Sequence, residues 1–154
     1  MREQEAETYL HEHIPLSEAM GVRVRAIDSE GVRLWLPLGP NINHRQTAFG
    51  GSISSAAILA AWTLVHSGLA DAELPARIVI QRATTEFLKP VSGDFEAFGP
   101  APDPADWNRF ITLLRRRGRA RLTLHSVLLL NGDTVGSLEG GLRAFPDRMF
   151  TCRS

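Results

Sequence analysis

Cysteine is almost absent: one residue, Cys152, in 154. A single thiol excludes an internal disulfide and fits a reducing compartment. Net charge is absent too, because 17 Lys and Arg balance 17 Asp and Glu. No global field then draws nucleic acid or a membrane, and an electrostatic partner must be met by a local patch. The opening MREQEAETYL is acidic and polar where a secretory signal would need an apolar core, so a cytoplasmic location is expected. There is no internal repeat, no low-complexity tract, no metal-ligand cluster and no serine elbow. What is present is ordinary globular material, 44% hydrophobic and 22% charged, enough for one core in a single domain over 1–154.

Within the even balance the charges are segregated. Glu3, Glu5, Glu7 and Glu12 crowd the start, and Arg115, Arg116, Arg117, Arg119 and Arg121 crowd one later segment. Residues 3–12 and IPLSEAMG read as two short helices of an N-terminal flank, 1–21, with Pro15 at a tolerated first turn and Gly21 as a stop. VRVRAID and GVRLWLP alternate around DSEG and predict an antiparallel hairpin, with Val22 and Val24, then Val32, Leu34 and Leu36, on one face. From Gly51 to about His66 the chain is apolar nearly all round, with Ser54, Ser55 and Thr63 the polar residues across 53–65, so a buried helix is expected. RIVIQRATTEFL and GDFEAFG give two more strands. Asp103 and Pro104 start a short helix whose Trp107, Phe110, Ile111 and Leu114 share a face, ended by Gly118. Two long strands follow around Asn131-Gly132, a hairpin signal, and residues 147–154 form a tail. The order predicts an α+β fold in which one long buried central helix is wrapped by a six-stranded antiparallel sheet. Such a sheet leaves edges that a second copy would pair, so a homodimer or a dimer of dimers is expected.

The stretch NINHRQTAFGGSIS, residues 41–54, delivers a polar loop onto a helix opened by two glycines. With that loop and the buried helix in place, the chain from IPLSEAMGVRV to EGGLRAF, including FLKPVSGD, resembles the hotdog-fold thioesterase superfamily. Asn41, Asn43, His44, Thr47, Phe49, Gly50, Gly51 and Ser52 resemble, more narrowly, the YiiD C-terminal thioesterase-like domain, in its stand-alone form. The resemblance implies activity on acyl thioesters carried by coenzyme A or by the phosphopantetheine of acyl carrier protein, with no separate cofactor and no metal. Two activities go with that group: thioester hydrolysis, and decarboxylation of malonyl-acyl carrier protein to supply acetyl primers for fatty-acid synthesis. The chain departs from the common hotdog hydrolase pattern in two places. Phe49 stands where a histidine often precedes the paired glycines, and residues 51–66 hold no Asp or Glu.

Gly50 and Gly51 allow close approach to their backbone, and the first amides of a helix have no partners inside it. With the helix dipole they suit an oxygen gaining negative charge; the alternative is a tight loop and nothing more. Asn43 offers an amide to a substrate carbonyl or carboxylate, or else closes a turn on its own backbone. His44 stands beside it and offers an imidazole. Thr85 shares a face with Ala83 and Phe87 and points inward; Glu86 belongs to the opposite, polar face. Phe49, Ser52, Arg115 and Arg119 complete the expected substrate contacts, the arginines either docking carrier acids or coenzyme phosphates or ending a helix in solvent. Hydrolysis needs a base to activate water, whereas decarboxylation of a malonyl thioester needs none. The missing base therefore favours decarboxylation, with acyl-CoA or acyl-carrier thioesterase as the alternative and a non-catalytic acyl-thioester binding module third.

Overall fold

The computed structural model describes residues 1–146; the tail at 147–154, with Cys152, lies outside the described residues. Helices α1 (Glu3–His13) and α2 (Pro15–Ala19) lead into a hairpin of β1 (Arg23–Asp28) and β2 (Gly31–Leu36). Val22, Val24, Val32, Leu34 and Leu36 are all buried, as the alternation requires. Helix α3 (Gly50–Asp71) follows, then β3 (Ala76–Phe87), β4 (Phe95–Pro100), α4 (Pro104–Arg117), β5 (Ala120–Leu130) and β6 (Asp133–Pro146). The strands form one antiparallel sheet in the order β1-β2-β4-β5-β6-β3.

The sheet wraps α3. Ala56, Ala57, Ala60, Ala61 and Val65 are fully or almost fully buried. Small residues here let the strands approach closely: Gly99 of β4 sits so near the Ala60 backbone that an added Cβ would lie 3.1 Å from its carbonyl oxygen. Ser126 of β5 donates to the Ala57 carbonyl at 2.9 Å, and the Trp62 indole donates to the Ile78 carbonyl at 3.2 Å. By length and composition α3 could cross a membrane; its enclosure by the sheet accounts for that composition. It runs five residues beyond the expected end at His66. Gly68, which would weaken an exposed helix, is covered by the Trp107 indole of α4. That helix is capped as expected, Asp103 accepting from Ala105 N at 2.8 Å and Gly118 closing it in the left-handed conformation, φ 68°.

The acidic N-terminus has a structural use. Glu7 accepts from Val24 N at 2.9 Å and Glu3 from Ile27 N at 3.3 Å, so α1 satisfies amides of the outer strand β1, and Glu7 also pairs with Arg23 at 3.0 Å. The same helix is fastened to α3 by stacked rings. Tyr9 lies between His13 and His66, with centroids at 4.0 and 4.3 Å, and His66 stacks on Trp62 at 4.7 Å. Burial, assisted by His13, pushes the His66 pKa below its usual value. The other edge, β3, is uncovered: Val79 is 41% and Phe87 58% exposed.

Candidate functional site

The loop before α3 is held by its own asparagines. Asn41 is buried and donates through Nδ2 to the carbonyls of Met20 (2.9 Å) and Pro37 (2.8 Å), while its backbone oxygen accepts from Phe49 N at 2.7 Å. Those bonds clasp the two ends of the loop. Asn43 closes the interior: Oδ1 accepts from Arg45 N (2.8 Å) and Thr47 N (3.2 Å), and Nδ2 donates to Thr47 Oγ1 at 2.9 Å. The side chain expected to face a substrate is thus turned on its own loop, because a short amide reaches nearby backbone donors more readily than anything distant. One N–H of its amide remains. His44 is exposed at the tip, next to Arg45 and Gln46.

Phe49 is the N-cap residue of α3. No side chain caps this helix and no acid lies in its first turn. The first helical bond here runs from Ile53 N to Phe49 O, so the amides of Gly50, Gly51 and Ser52 have no helical partner. Aromatic rings flank them: Phe49, 58% exposed, packs where a Gly51 Cβ would go, and Phe87 of β3 lies 3.4 Å from where a Gly50 Cβ would be. Positive peptide ends in apolar walls favour an oxygen that is gaining charge. Ser52 is half-buried in the same turn.

The other wall comes from β3. Thr85 is half-buried and accepts a 2.7 Å hydrogen bond from Ser54 Oγ, one turn into α3. In such a pair one hydroxyl donates to the other and the second keeps its own proton for another partner. Ser54 carried a signal in the sequence, as one of three polar residues in an apolar helix. A bulge between Ile80 and Arg82 sets the strand's phase, so that Ile78 and Ile80 face inward before it and Ala83, Thr85 and Phe87 after it. Glu86 is exposed on the outer face, where it lines a depression with Thr84, His125, Ser137 and Glu139. Arg115 and Arg119 are exposed and belong to the far end of the molecule. Arg115 is in the last turn of α4 and Arg119 just beyond it, and Trp107 of that helix packs at Gly68, 18 residues along α3 from Gly50, or about 27 Å. The structure brings Gly50, Gly51, Ser52, Phe49 and Thr85 together with Ser54, holds Asn43 and His44 on the adjoining loop, and leaves the two arginines apart from them.

A buried central helix, a six-stranded antiparallel wrap and a polar loop feeding the helix's uncapped start define a hotdog fold of the thioesterase superfamily. Residues 3–144 match the family described as "Putative thioesterase (yiiD_Cterm)", and the chain belongs to that family. Among solved structures it is similar to a protein of unknown function from Chlorobaculum tepidum, at 26% identity and a TM-score of 0.88 over 94% of both chains. It is also similar to a protein from Shewanella oneidensis titled a putative thioesterase, at 26% identity and a TM-score of 0.82 over 94% of this chain and 96% of that one. A Pseudomonas aeruginosa protein titled a probable thioesterase shares the fold at 21% identity, with a TM-score of 0.80 over 94% and 96%.

Proposed function

We propose that the protein acts on short acyl thioesters borne by acyl carrier protein or coenzyme A, and that its reaction is decarboxylation of a malonyl thioester. One observation carries this reading: the uncapped start of α3 offers several amides to an oxygen, and the carboxylate of β3, Glu86, is exposed on the outer face. Decarboxylation asks for that combination. The bond between the α-carbon and the carboxylate breaks, carbon dioxide leaves, and the electron pair moves into the thioester to give an enolate oxygen held by the Gly50 and Gly51 amides. With the open side covered by a second copy, the Phe49 and Phe87 rings, each 58% exposed in the single chain, keep the departing carboxylate poorly solvated. A proton from the Thr85 hydroxyl, replaced from water, or from water directly, then completes the methyl group of an acetyl thioester. The Ser54 bond orients Thr85 for this.

The β3 edge, long and carrying exposed Val79 and Phe87, suits pairing with a second copy, which would close the open side of the site. The second reading is thioester hydrolysis, favoured by the family's description. His44 and Arg45 are the charged or titratable side chains of 41–54, and His44 would then be the base. Incubation with malonyl, acetyl and longer acyl thioesters on both carriers, with products followed by mass, separates the two. Loss of carbon dioxide with the thioester retained is expected; release of free acid and thiol from acetyl substrate, with malonyl substrate untouched, leaves hydrolysis.

A further inference from the structure

The arginines of the later segment sort into two groups once folded. Arg117, the last residue of α4, lines one depression of about 480 Å³ with Arg119, Arg121, Leu113, Ala120 and Arg143, whereas Arg115 and Arg116, in the last turn of that helix, lie outside it. Arg143 comes from β6, 22 residues beyond Arg121, and stands directly opposite it across the β5–β6 ladder. Like charges so placed repel. Among the described residues no carboxylate lines this depression and none of its four arginines has an acidic partner. A second depression of about 270 Å³ adjoins it through Leu113 and Arg121. Its character is different: Gln81, Thr123 and Asp106 supply neutral and acidic hydrogen-bonding groups, Phe110 is apolar, and Gly141 leaves the floor clear, with nothing within 4 Å of where a Cβ would stand. Arg109, also on this wall, is already paired with Asp106 at 2.7 Å.

We propose that this groove, between α4 and strands β5 and β6, binds a phosphorylated nucleoside. The unneutralised arginines take the phosphates, to which guanidinium forks bond in pairs, and the polar second chamber takes the sugar or base. The two chambers together have the size of a nucleotide-class site. The groove reaches β3 at Gln81, which lines the second chamber. Thr85 is four residues, or about 13 Å, further along that strand, so the groove is separate from the hydroxyl pair. The nucleotide can be free, or it can be the end of a coenzyme A thioester; the second source rests on the acyl-thioester reading and the first does not.

Calorimetric titration of the full chain with ADP, coenzyme A and adenosine tests this. Both phosphorylated probes should saturate and weaken with added salt, and adenosine should not bind. Coenzyme A binding more tightly than ADP marks the thioester source, and equal affinity marks a free nucleotide. Arg121→Gln with Arg143→Gln should weaken ADP about tenfold or more, as loss of charge-assisted bonds does. Its melting temperature should not fall, because the exchange removes a repulsion. Arg119→Gln, on a fully surface side chain, repeats the affinity test alone. Asn43→Ala should bind ADP as before, so failure of the loop chemistry and failure of the groove are told apart. No saturable binding of either nucleotide, unchanged affinity in the arginine variants, or binding of apo acyl carrier protein with neither nucleotide bound, each overturns the proposal.

Discussion

Asn43 is the residue on which a direct and an indirect role can be separated by substitution. Its amide makes three hydrogen bonds, two through Oδ1 and one through Nδ2, all to residues 45 and 47. Each is worth about 0.5–1.5 kcal/mol net, and the site is half exposed, so Asn43→Ala should loosen the loop by about 2 kcal/mol. Loss of a direct oxyanion donor instead costs about a hundred- to a thousandfold in turnover with the loop intact. Asn43→Asp distinguishes these. The aspartate keeps both acceptor bonds, and the Thr47 hydroxyl can reverse to donate, so the loop survives while the side-chain donor is gone. With the Gly50 and Gly51 amides as the oxyanion donors, Asn43→Asp should keep kcat within about threefold and protect the amides of Arg45 and Thr47 from hydrogen exchange as the parent does. KM for malonyl substrate should rise, since the new charge repels a carboxylate. Asn43→Ala should lose that protection and about tenfold in kcat. A hundredfold fall in kcat for Asn43→Asp with exchange protection unchanged would refute the indirect role and make Asn43 a donor to the substrate.

Ser54→Ala removes the bond that orients Thr85, and kcat for malonyl decarboxylation should drop about three- to tenfold with KM little changed; steady-state kinetics that match the parent would mean the hydroxyl pair only packs α3 on β3. Light scattering at micromolar concentration should give at least twice the 17.0 kDa chain mass, and Val79→Lys on the open β3 edge should shift it toward one copy; a monomeric parent removes the shared site. Because the folded state holds His66 below its ordinary value, its contribution to stability is fully present above the unfolded value of 6.5 and is lost as pH falls through the lowered folded value. His66→Gln should therefore flatten the decline of the melting temperature below pH 6.5, and an unaltered profile would place that decline elsewhere.

Patterns of burial were legible in the chain; bonds that depend on tertiary placement were not. The buried helix, the hairpins and the caps at Asp103 and Gly118 follow from local rules and stand as expected. The end of α3 did not, since Gly68 reads as a breaker until Trp107 covers it from 39 residues away. Asn43 has the loop spacing of a ligand contact and equally of a turn residue, and only the positions of Arg45 N and Thr47 N decide. The arginine run reads as one cluster along the sequence, but a helix end and a strand with opposite faces divide it, and Arg143 joins through a ladder that no spacing rule reaches.

Which of two neighbouring side chains faces the helix start is set by one extra residue in β3. Before the bulge the even positions Ile78 and Ile80 pack inward; after it Thr85 does, and Glu86 turns to the outer face. A hydroxyl therefore stands at Ser54 where a carboxylate would stand in an unbulged strand, and the choice of reaction follows from that exchange. Swapping the pair, Thr85→Glu with Glu86→Thr, keeps composition and net charge and puts a carboxylate beside uncapped amides, where a helix dipole favours it. The added charge should repel malonyl carboxylate and lower decarboxylation steeply, on the order of a hundredfold, because it also competes for the amides that hold the enolate. It should raise acetyl-thioester hydrolysis above the parent level, since a positioned base contributes on the order of a hundred- to ten-thousandfold. Glu86→Gln alone is the control, and with its side chain outward it should leave both reactions unchanged. A swap variant that folds, retains full decarboxylation and gains no hydrolysis would show that the reacting carbonyl does not lie between Thr85 and the start of α3, and the assignment of this mouth as the site would fall with it.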